Sequence, residues 1–431
     1  MEKFIINGGK PLFGDIEMSG MKNTAVAVIM GSLLIEDKCV IENLPNISDV
    51  ATCFEILARM GAEVKQINKT TYEVNNKRTK GGISPDELVR SIRGSYYLLG
   101  SELGRFNCAN VAPPGGCWFG DRLIDQHIKG FEHLGGTFGT SKETGHYTID
   151  APNGLKGTDI LLDCPSVGAT INIILAAVKA EGTTIIENAA KEPHVVDLAI
   201  FLNKCGANIS GMGTNIIKIK GVDELHGCTY TILPDMIEAG TYMAAVAATG
   251  GSLRIKNVIP KHLESITAKL IEMGAEVEEL DDSIIVSRSG EINKASIKTQ
   301  PYPGVPSDMN APMCVLLCLA KGNSSITEGL FENKYRYCEE LRRMGAVIKV
   351  NGRIANIEGK GYLSPAVVKA VDLRAGAAMI IAGLAAKGRT EIEDISHIER
   401  GYEDIVSKLK KVGADIKKIY GPDGFKYEKA N

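Results

Sequence analysis

"KGNSSITEGLFENKYRYCEELRRMGAVI", residues 321–348, contains the pattern on which the fold of this chain depends. A small-residue turn leads into a β-branched strand, and a helix with apolar residues at helical spacing follows. Gly345-Ala346 then precedes another strand. The glycine is suited to a left-handed helix C-cap, a conformation that glycine adopts without steric cost. The segment therefore predicts one compact unit of strand, helix and strand.

The same pattern occurs six times along the chain, with a period of about 70 residues. The Gly-Ala or Gly-Gly pairs that mark the copies begin at Gly61, Gly135, Gly206, Gly274, Gly345 and Gly413. This period is longer than that of solenoid repeats, so each copy is predicted to be a small βαβ-type subdomain. The fold class is therefore α/β.

Three copies in each half of the chain predict two similar domains, residues 22–232 and residues 1–21 together with 233–431. The first strand, "FIINGGK" (4–10), precedes the first copy, and we expect it to pair with the last part of the chain. The chain would then cross twice between the domains. A pseudo-symmetric pair of domains makes the cleft between them the natural ligand site.

Composition excludes several classes of function. The net charge is −3 and the basic residues are interspersed with acidic ones, so no basic field indicates nucleic acid or membrane partners. A P-loop motif is absent from the sequence. Ten cysteines lack CxxC pairs or Cys/His clusters, which is typical of reduced thiols in the cytoplasm. The N-terminus has no apolar signal core, so we expect a cytoplasmic protein.

One cysteine has an unusual setting. "VAPPGGCWFGDR" (111–122) places Cys117 on a Gly/Pro turn, beside the only tryptophan and near Arg122. A cysteine kept for packing normally lies in an apolar run. The Gly115-Gly116 pair would allow the loop to move, and a nearby cation favours the thiolate. These features favour a reactive thiol over a structural turn cysteine.

Cations fall at corresponding turns of several copies, which indicates an anionic ligand. They are Lys22, Arg93, Arg122, Arg374 and Arg400. "GMKNT" precedes the apolar run "AVAVIMGSLL", so Lys22 is predicted at a helix N-terminus, where backbone N–H groups favour anions. For any one of these residues the alternative is an ordinary surface charge.

Three further turns carry polar candidates. "PSVGATINIILAAV" (165–178) predicts a helix capped by Ser166, with the N–H groups of Val167 and Gly168 available to a diphosphate. The alternative is an ordinary cap on a buried helix. Asp308 in "PGVPSDM" and Asp372 in "DLR" are candidate acid–base carboxylates, and turn or N-cap roles are the alternatives.

The segments "GMKNT", "PGGCWFGDR", "SVGAT", "DLRA" and "HIERGYE" together resemble the signature segments of the UDP-N-acetylglucosamine 1-carboxyvinyltransferase family, in the same order over essentially the whole chain. The resemblance implies a two-domain inside-out α/β barrel, the enolpyruvyl transferase fold. It implies transfer of enolpyruvate from phosphoenolpyruvate to the 3′-hydroxyl of UDP-N-acetylglucosamine (UDP-GlcNAc), with release of phosphate through a tetrahedral adduct. This is the first committed step of peptidoglycan synthesis. No metal or other cofactor is implied.

The resemblance also implies residue roles. Cys117 is the mobile acid that protonates C3 of phosphoenolpyruvate, and epoxide antibiotics such as fosfomycin alkylate it. Asp308 is the base for the sugar hydroxyl, and Asp372 assists proton movement. Lys22 and Arg400 join the catalytic group, because with Arg122 they anchor phosphoenolpyruvate and stabilise the charge of the adduct. The implied substrate contacts are Lys22, Asn23, Arg93, Arg122, Leu123, Ile124, Asp125, Gln126, Ser166, Val167, Gly168, Asp308, Leu330, Phe331, Arg374 and Arg400.

The chain departs from the family pattern at several positions without losing the acid, the base or the anion anchors. Leu123, Cys164, Asn310 and Lys334 replace a proline, a lysine, a glutamine and an arginine of other members. These departures indicate a divergent member or a second paralogue. The alternatives are a catalytically weak or silent sugar-nucleotide binder that regulates wall synthesis, the sister enzyme acting on shikimate 3-phosphate, which lacks "PGGC", and a nucleic-acid-processing protein.

Overall fold

The computed structural model describes residues 2–115 and 123–420. The chain divides into two compact units. We call Gly20–Leu233 the continuous unit, and Met1–Ser19 with Pro234–Asn431 the split unit. Among the described residues no helix is long and apolar enough to cross a membrane.

The helices and strands alternate along the chain. The helices are α1 (Lys22–Gly31), α2 (Ser48–Arg59), α3 (Asp86–Val89), α4 (Tyr97–Phe106), α5 (Asp125–His133), α6 (Val167–Ala177), α7 (Pro193–Lys204), α8 (Met236–Thr249), α9 (Glu264–Glu272), α10 (Asn310–Leu319), α11 (Cys338–Arg343), α12 (Leu373–Ala385), α13 (Ser396–Glu399) and α14 (Ile405–Lys411). The strands are β1 (Lys3–Gly8), β2 (Leu12–Glu17), β3 (Lys38–Glu42), β4 (Glu63–Asn68), β5 (Thr71–Asn75), β6 (Cys108–Val111), β7 (Thr137–Thr140), β8 (Tyr147–Asp150), β9 (Asp159–Leu161), β10 (Thr183–Glu187), β11 (Asn208–Ser210), β12 (Ile216–Lys220), β13 (Thr229–Thr231), β14 (Gly251–Lys256), β15 (Glu276–Glu279), β16 (Ser283–Arg288), β17 (Ser296–Lys298), β18 (Lys321–Thr327), β19 (Val347–Asn351), β20 (Ile354–Lys360), β21 (Val367–Lys369), β22 (Gly388–Glu393) and β23 (Ile416–Ile419).

The strands of the described ranges form six small sheets, one for each copy of the sequence pattern. In the continuous unit the strand orders are β13-β3-β5-β4, β6-β8-β7 and β11-β12-β10-β9. In the split unit they are β15-β16-β14-β2, β17-β18-β20-β19 and β21-β22-β1-β23. Each four-stranded sheet joins one parallel pair to two antiparallel pairings, as β17, β18, β20 and β19 do. The six-copy α/β organisation predicted from the sequence is confirmed.

The first strand belongs to the last sheet. β1 pairs antiparallel with β22 and β23, which confirms the prediction made for "FIINGGK". β2 pairs parallel with β14 in the same unit. The split unit is therefore closed by strands from both ends of the described chain.

Each unit places helices inside and sheets outside. In α6, α8, α10 and α12 almost every side chain is buried. A helix that is apolar on all sides must lie in the interior. Strand β12 instead alternates exposed and buried residues, as expected of a sheet that covers a core with one face. Within each unit the helices therefore form the interior and the sheets cover them, which is the inside-out arrangement.

The six glycines that mark the copies adopt the left-handed backbone conformation. Their φ angles lie between +86° and +107°. Gly345, for example, directly follows Met344, the C-cap of α11. An L side chain is strained in this conformation, so glycine ends the helix and turns the chain into the next strand.

Candidate active site

Lys22 is fixed at the start of a helix. It is the first residue of α1, and its Nζ lies 3.0 Å from Oδ2 of Asp49, in the first turn of α2. Only 16% of the Lys22 side chain and 5% of the Asp49 side chain are exposed. The solvated turn lysine is therefore wrong as an interpretation of Lys22. The start of α1 presents a positioned ammonium next to backbone N–H groups and to Asn23.

A second polar group surrounds the start of α6, and we call it the α6 cluster: Arg93, Tyr96, His127, Ser166 and Gly168. Ser166 caps the helix as predicted, with Oγ accepting from the backbone N–H three residues on, at 3.3 Å. A β-carbon on Gly168 would lie 2.4 Å from Oη of Tyr96 and 2.9 Å from Cε1 of His127. The Arg93 guanidinium stacks 5.3 Å from the Tyr96 ring centre. Glycine is therefore required for these side chains to approach the helix terminus.

His127 is a neutral hydrogen-bond donor in this cluster. Burial, reinforced by the nearby charge of Arg93, lowers the pKa of its imidazole to about 3. The amide of Asn172 accepts from Gly100 N at 2.9 Å and donates to Tyr96 O at 3.2 Å, which fixes its orientation. Its Nδ2 therefore donates to Nδ1 of His127, at 2.9 Å, and the ring proton is assigned to Nε2.

The buried, neutral His127 makes one contribution to stability that acid removes, whereas burial raises the pKa of the Glu102 carboxyl to about 7 and acts in the opposite direction. The unfolded chain binds a proton at His127 below pH 6.5 that the folded chain does not bind, so the contribution of His127 to stability falls as the pH falls from 6.5 toward 3. The contribution lost between neutral pH and pH 5 is about 2 kcal/mol. In His127→Gln this loss should disappear. Urea unfolding at pH values from 8 to 5, followed by circular dichroism, measures it.

His133→Gln is the matched control, because His133 is exposed at the end of the same helix. It should keep the pH dependence of the parent protein. The same pH dependence of stability in His127→Gln and in the parent protein would contradict the assignment.

The start of α5 carries the residues expected near the uridine. Leu123 and Asp125 are exposed, and Ile124 is the buried N-cap. Gln126 is buried, its Nε2 donating to Oδ2 of Asp163 and its Oε1 accepting from Asp163 N, both at 2.8 Å. Gln126 thus fixes the segment that follows β9.

Two predicted residues of this region, Cys117 and Arg122, lie outside the described residues. The structure therefore leaves their assigned roles as predictions.

In the split unit a buried cation holds the candidate base. Asp308 lies in a single 3-10 turn, Ser307–Met309, directly before α10. Arg374 Nε donates to its Oδ2 at 2.9 Å. The Arg374 side chain is 5% exposed and stacks 5.2 Å from the ring centre of Tyr402, whereas 33% of the Asp308 side chain is exposed. The carboxylate is therefore fixed in direction and still accessible.

Asp372 is the N-cap of α12. Its Oδ1 accepts from the backbone N–H groups of Arg374 and Ala375, at 2.9 and 2.8 Å. This is the N-cap role that the sequence left open as an alternative, and it fixes the turn that carries Arg374. The structure thus brings Asp308, Asp372 and Arg374 together at the starts of α10 and α12, while a role of Asp372 in proton movement remains a prediction.

The remaining candidates of the split unit lie on loops. Leu330 is 39% exposed, and the backbone N–H groups of Leu330 and Phe331 both donate to Oε1 of Glu328. Lys334 Nζ lies 5.5 Å from the Phe331 ring centre. Arg400 directly follows α13 and is half-buried.

Sequence reasoning missed four residues that hold these groups: Asp49, Tyr96, His127 and Glu328. None belongs to a motif of adjacent residues, and each acts through a partner distant in the chain. The signal available in the sequence for His127 was helical spacing, since it lies three residues after the apolar Ile124 and four before Phe131, on the same face of a helix.

Comparison with known proteins identifies the family. Residues 6–409 match the model of the EPSP synthase (3-phosphoshikimate 1-carboxyvinyltransferase) family. The chain belongs to the EPSP synthase family. Within this family it is 56% identical to UDP-N-acetylglucosamine 1-carboxyvinyltransferase 3 of Caldanaerobacter subterraneus, over 97% of this chain and 100% of the relative. It is 53% identical to UDP-N-acetylglucosamine 1-carboxyvinyltransferase of Clostridium botulinum, with the same coverage. The resemblance found in the sequence is confirmed.

Two solved structures share the fold of this chain. The enolpyruvyl transferase NikO from Streptomyces tendae matches with a TM-score of 0.85 and 25% identity, over 98% of this chain and 99% of that chain. EPSP synthase from Acinetobacter baumannii matches with a TM-score of 0.73 and 18% identity, over 97% and 100%. The second likeness shows the fold alone. The enolpyruvyl transferase fold predicted from the sequence is confirmed.

Proposed function

We propose that this protein transfers enolpyruvate from phosphoenolpyruvate to the 3′-hydroxyl of UDP-GlcNAc and releases phosphate. One observation carries the proposal: the chain is 56% identical, over essentially its full length, to a UDP-N-acetylglucosamine 1-carboxyvinyltransferase. It also retains the acid, the base and two anion anchors that the reaction needs, at Cys117, Asp308, Lys22 and Arg400.

The reaction requires one base, one acid and positive charge. Asp308 accepts the proton of the sugar hydroxyl while its oxygen attacks C2 of phosphoenolpyruvate, and Cys117 gives a proton to C3. The tetrahedral adduct then loses phosphate and a C3 proton, which leaves the enolpyruvyl ether. Lys22, Arg122 and Arg400 neutralise the phosphate and the carboxylate throughout.

The geometry at α6 supports the nucleotide part of the proposal. The amides of Val167 and Gly168 lie in the first turn of a capped helix, which is a favourable position for a diphosphate. Arg93 adds positive charge beside them, and the neutral His127 adds a donor without a competing charge. Since the substrate is a nucleoside diphosphate sugar, this group of donors fits its charged portion.

We further propose that the reaction takes place in the cytoplasm and opens peptidoglycan synthesis, and through it contributes to cell shape and division. The nine cysteines of the described ranges are free thiols, as is usual in a reducing compartment. Both substrates are small anionic metabolites. Cys117 makes the protein a target of fosfomycin.

Phosphate release tests the function directly. The purified protein with phosphoenolpyruvate and UDP-GlcNAc, in buffer containing a chelator, should release phosphate in equal amount to the enolpyruvyl ether seen by mass spectrometry. Shikimate 3-phosphate in place of the sugar nucleotide should give none. Binding of UDP-GlcNAc by calorimetry without phosphate release would instead identify a silent sugar-nucleotide binder.

A further inference from the structure

In each parallel pair one strand is the inner one, which also pairs antiparallel on its other side, and the residue that follows this inner strand has a repeated structural role. In four sheets it is an asparagine or aspartate in the left-handed conformation, with φ between +55° and +59°: Asn43, Asn188, Asn257 and Asp394. The three asparagine side chains donate to a backbone carbonyl beside the neighbouring parallel strand, at Ile232, Leu162 and Met18, over 2.8–3.0 Å. The position therefore normally serves to tie two strands together.

The sheet of β17 and β18 breaks this pattern. Glu328 follows β18 and is completely buried, with 0% exposure. Its Oε2 accepts from Oγ of Ser307 and Nδ2 of Asn310, both at 2.9 Å. Its Oε1 accepts from the backbone N–H groups of Leu330 and Phe331, at 2.9 and 3.2 Å. One carboxylate thus joins the turn that carries the candidate base to a segment predicted to line the sugar nucleotide.

We propose that Glu328 is a positioning residue that sets the base Asp308 against the sugar nucleotide; this inference rests on the proposed function. A buried carboxylate is unfavourable unless its oxygens are well supplied with donors, and four donors supply them here. An asparagine suffices for strand pairing at three equivalent positions, so strand pairing does not require the charge. Ser307 adjoins Asp308 in one short turn, so a shift at Ser307 moves the base.

Asn310 and Tyr337 complete the arrangement. Tyr337 Oη donates to Oδ1 of Asn310, so Nδ2 of that amide faces the Glu328 carboxylate. The pair is therefore matched as donor and acceptor. Exchanging the two chemical types, an amide at 328 and a carboxylate at 310, preserves both the match and the net charge.

The test is a donor–acceptor exchange. In Glu328→Gln an amide NH₂ faces Asn310 Nδ2, and in Asn310→Asp two carboxylates face each other, so each single variant disrupts the contact. We expect each to lower kcat/KM for UDP-GlcNAc at least about tenfold, with the KM for phosphoenolpyruvate within about threefold of the parent value. The double variant should recover to within about threefold of the parent. Glu332→Gln is the matched control, since Glu332 is exposed on the same loop.

Several outcomes would overturn the inference. Parent kinetics in a folded Glu328→Gln protein, or no recovery in the double variant, rules it out. If Glu328→Gln does not fold, Ser307→Ala removes a single donor, and parent-like kcat/KM for UDP-GlcNAc in that folded variant also rules it out. An inactive parent protein counts against the proposed function instead. In that case the affinity for UDP-GlcNAc, measured by calorimetry, tests the inference. We expect weaker binding in the single variants and parent-like binding in the double variant.

Discussion

Asp308→Asn should lower kcat at least about a hundredfold, because an amide cannot accept the proton of the attacking sugar hydroxyl. The asparagine Oδ1 can still accept from Nε of Arg374, so the short turn keeps its place. The loss should therefore fall on kcat and leave the KM for phosphoenolpyruvate within about threefold. Phosphate release at saturating substrates measures it, with circular dichroism as the check on folding.

Two companion variants separate chemistry from structure. Asp281→Asn, on an exposed turn of the same unit, should behave as the parent protein. Asp372→Asn keeps a good helix N-cap, so a large loss of kcat there would assign Asp372 to proton movement rather than to capping alone. A folded Asp308→Asn enzyme with kcat within threefold of the parent would refute the base assignment.

The repeated fold could be predicted because it depends on local signals. A left-handed glycine after a helix is a property of a few adjacent residues, and all six markers behave alike. The pairing of β1 with the last part of the chain could be predicted because "FIINGGK" precedes the first of the six copies and has no partner strand in that copy. Ser166 was recognised as a cap because a helix start has its own residue preferences.

The contacts that hold the candidate site could not be predicted in the same way. The Lys22–Asp49 and Asp308–Arg374 pairs join residues far apart in sequence, and only the packed helices bring them together. The role of Glu328 follows from a departure within the repeat, which becomes meaningful only when the asparagines at equivalent positions are seen to tie strands. A single sequence gives the residue types but not these pairings.

The candidate residues share one structural position. Lys22, Ser166, Asp308 and Asp372 all lie at or just before the first turn of a buried helix: α1, α6, α10 and α12. Buried helices leave their first N–H groups without partners inside the helix, and the positive end of the helix dipole lies there. Anionic substrates suit such positions. The inside-out arrangement therefore supplies helix ends that favour anions, and the proposed site residues lie at these ends.

Cys117→Ser should lower kcat at least about a hundredfold, because a serine hydroxyl is a much weaker acid than a thiol and protonates C3 poorly. Cys117→Asp should retain substantial activity, since a carboxyl group can donate the proton. It should also escape inactivation by fosfomycin, because alkylation of the parent protein requires a thiolate. Phosphate release before incubation with fosfomycin measures the activity of each variant, and phosphate release after the incubation measures its escape from inactivation.

The alkylation site distinguishes Cys117 from the other thiols. Cys108→Ser removes an exposed cysteine on β6 and should leave both activity and inactivation unchanged. In the parent protein, mass spectrometry should find the epoxide adduct on the peptide containing Cys117. If Cys117→Asp is inactive and is still alkylated and inactivated, the proton donor is a different residue. If Cys117→Ser keeps the parent kcat, the protonation of C3 does not depend on a thiol, and the role that the Gly/Pro loop suggested for this cysteine is wrong.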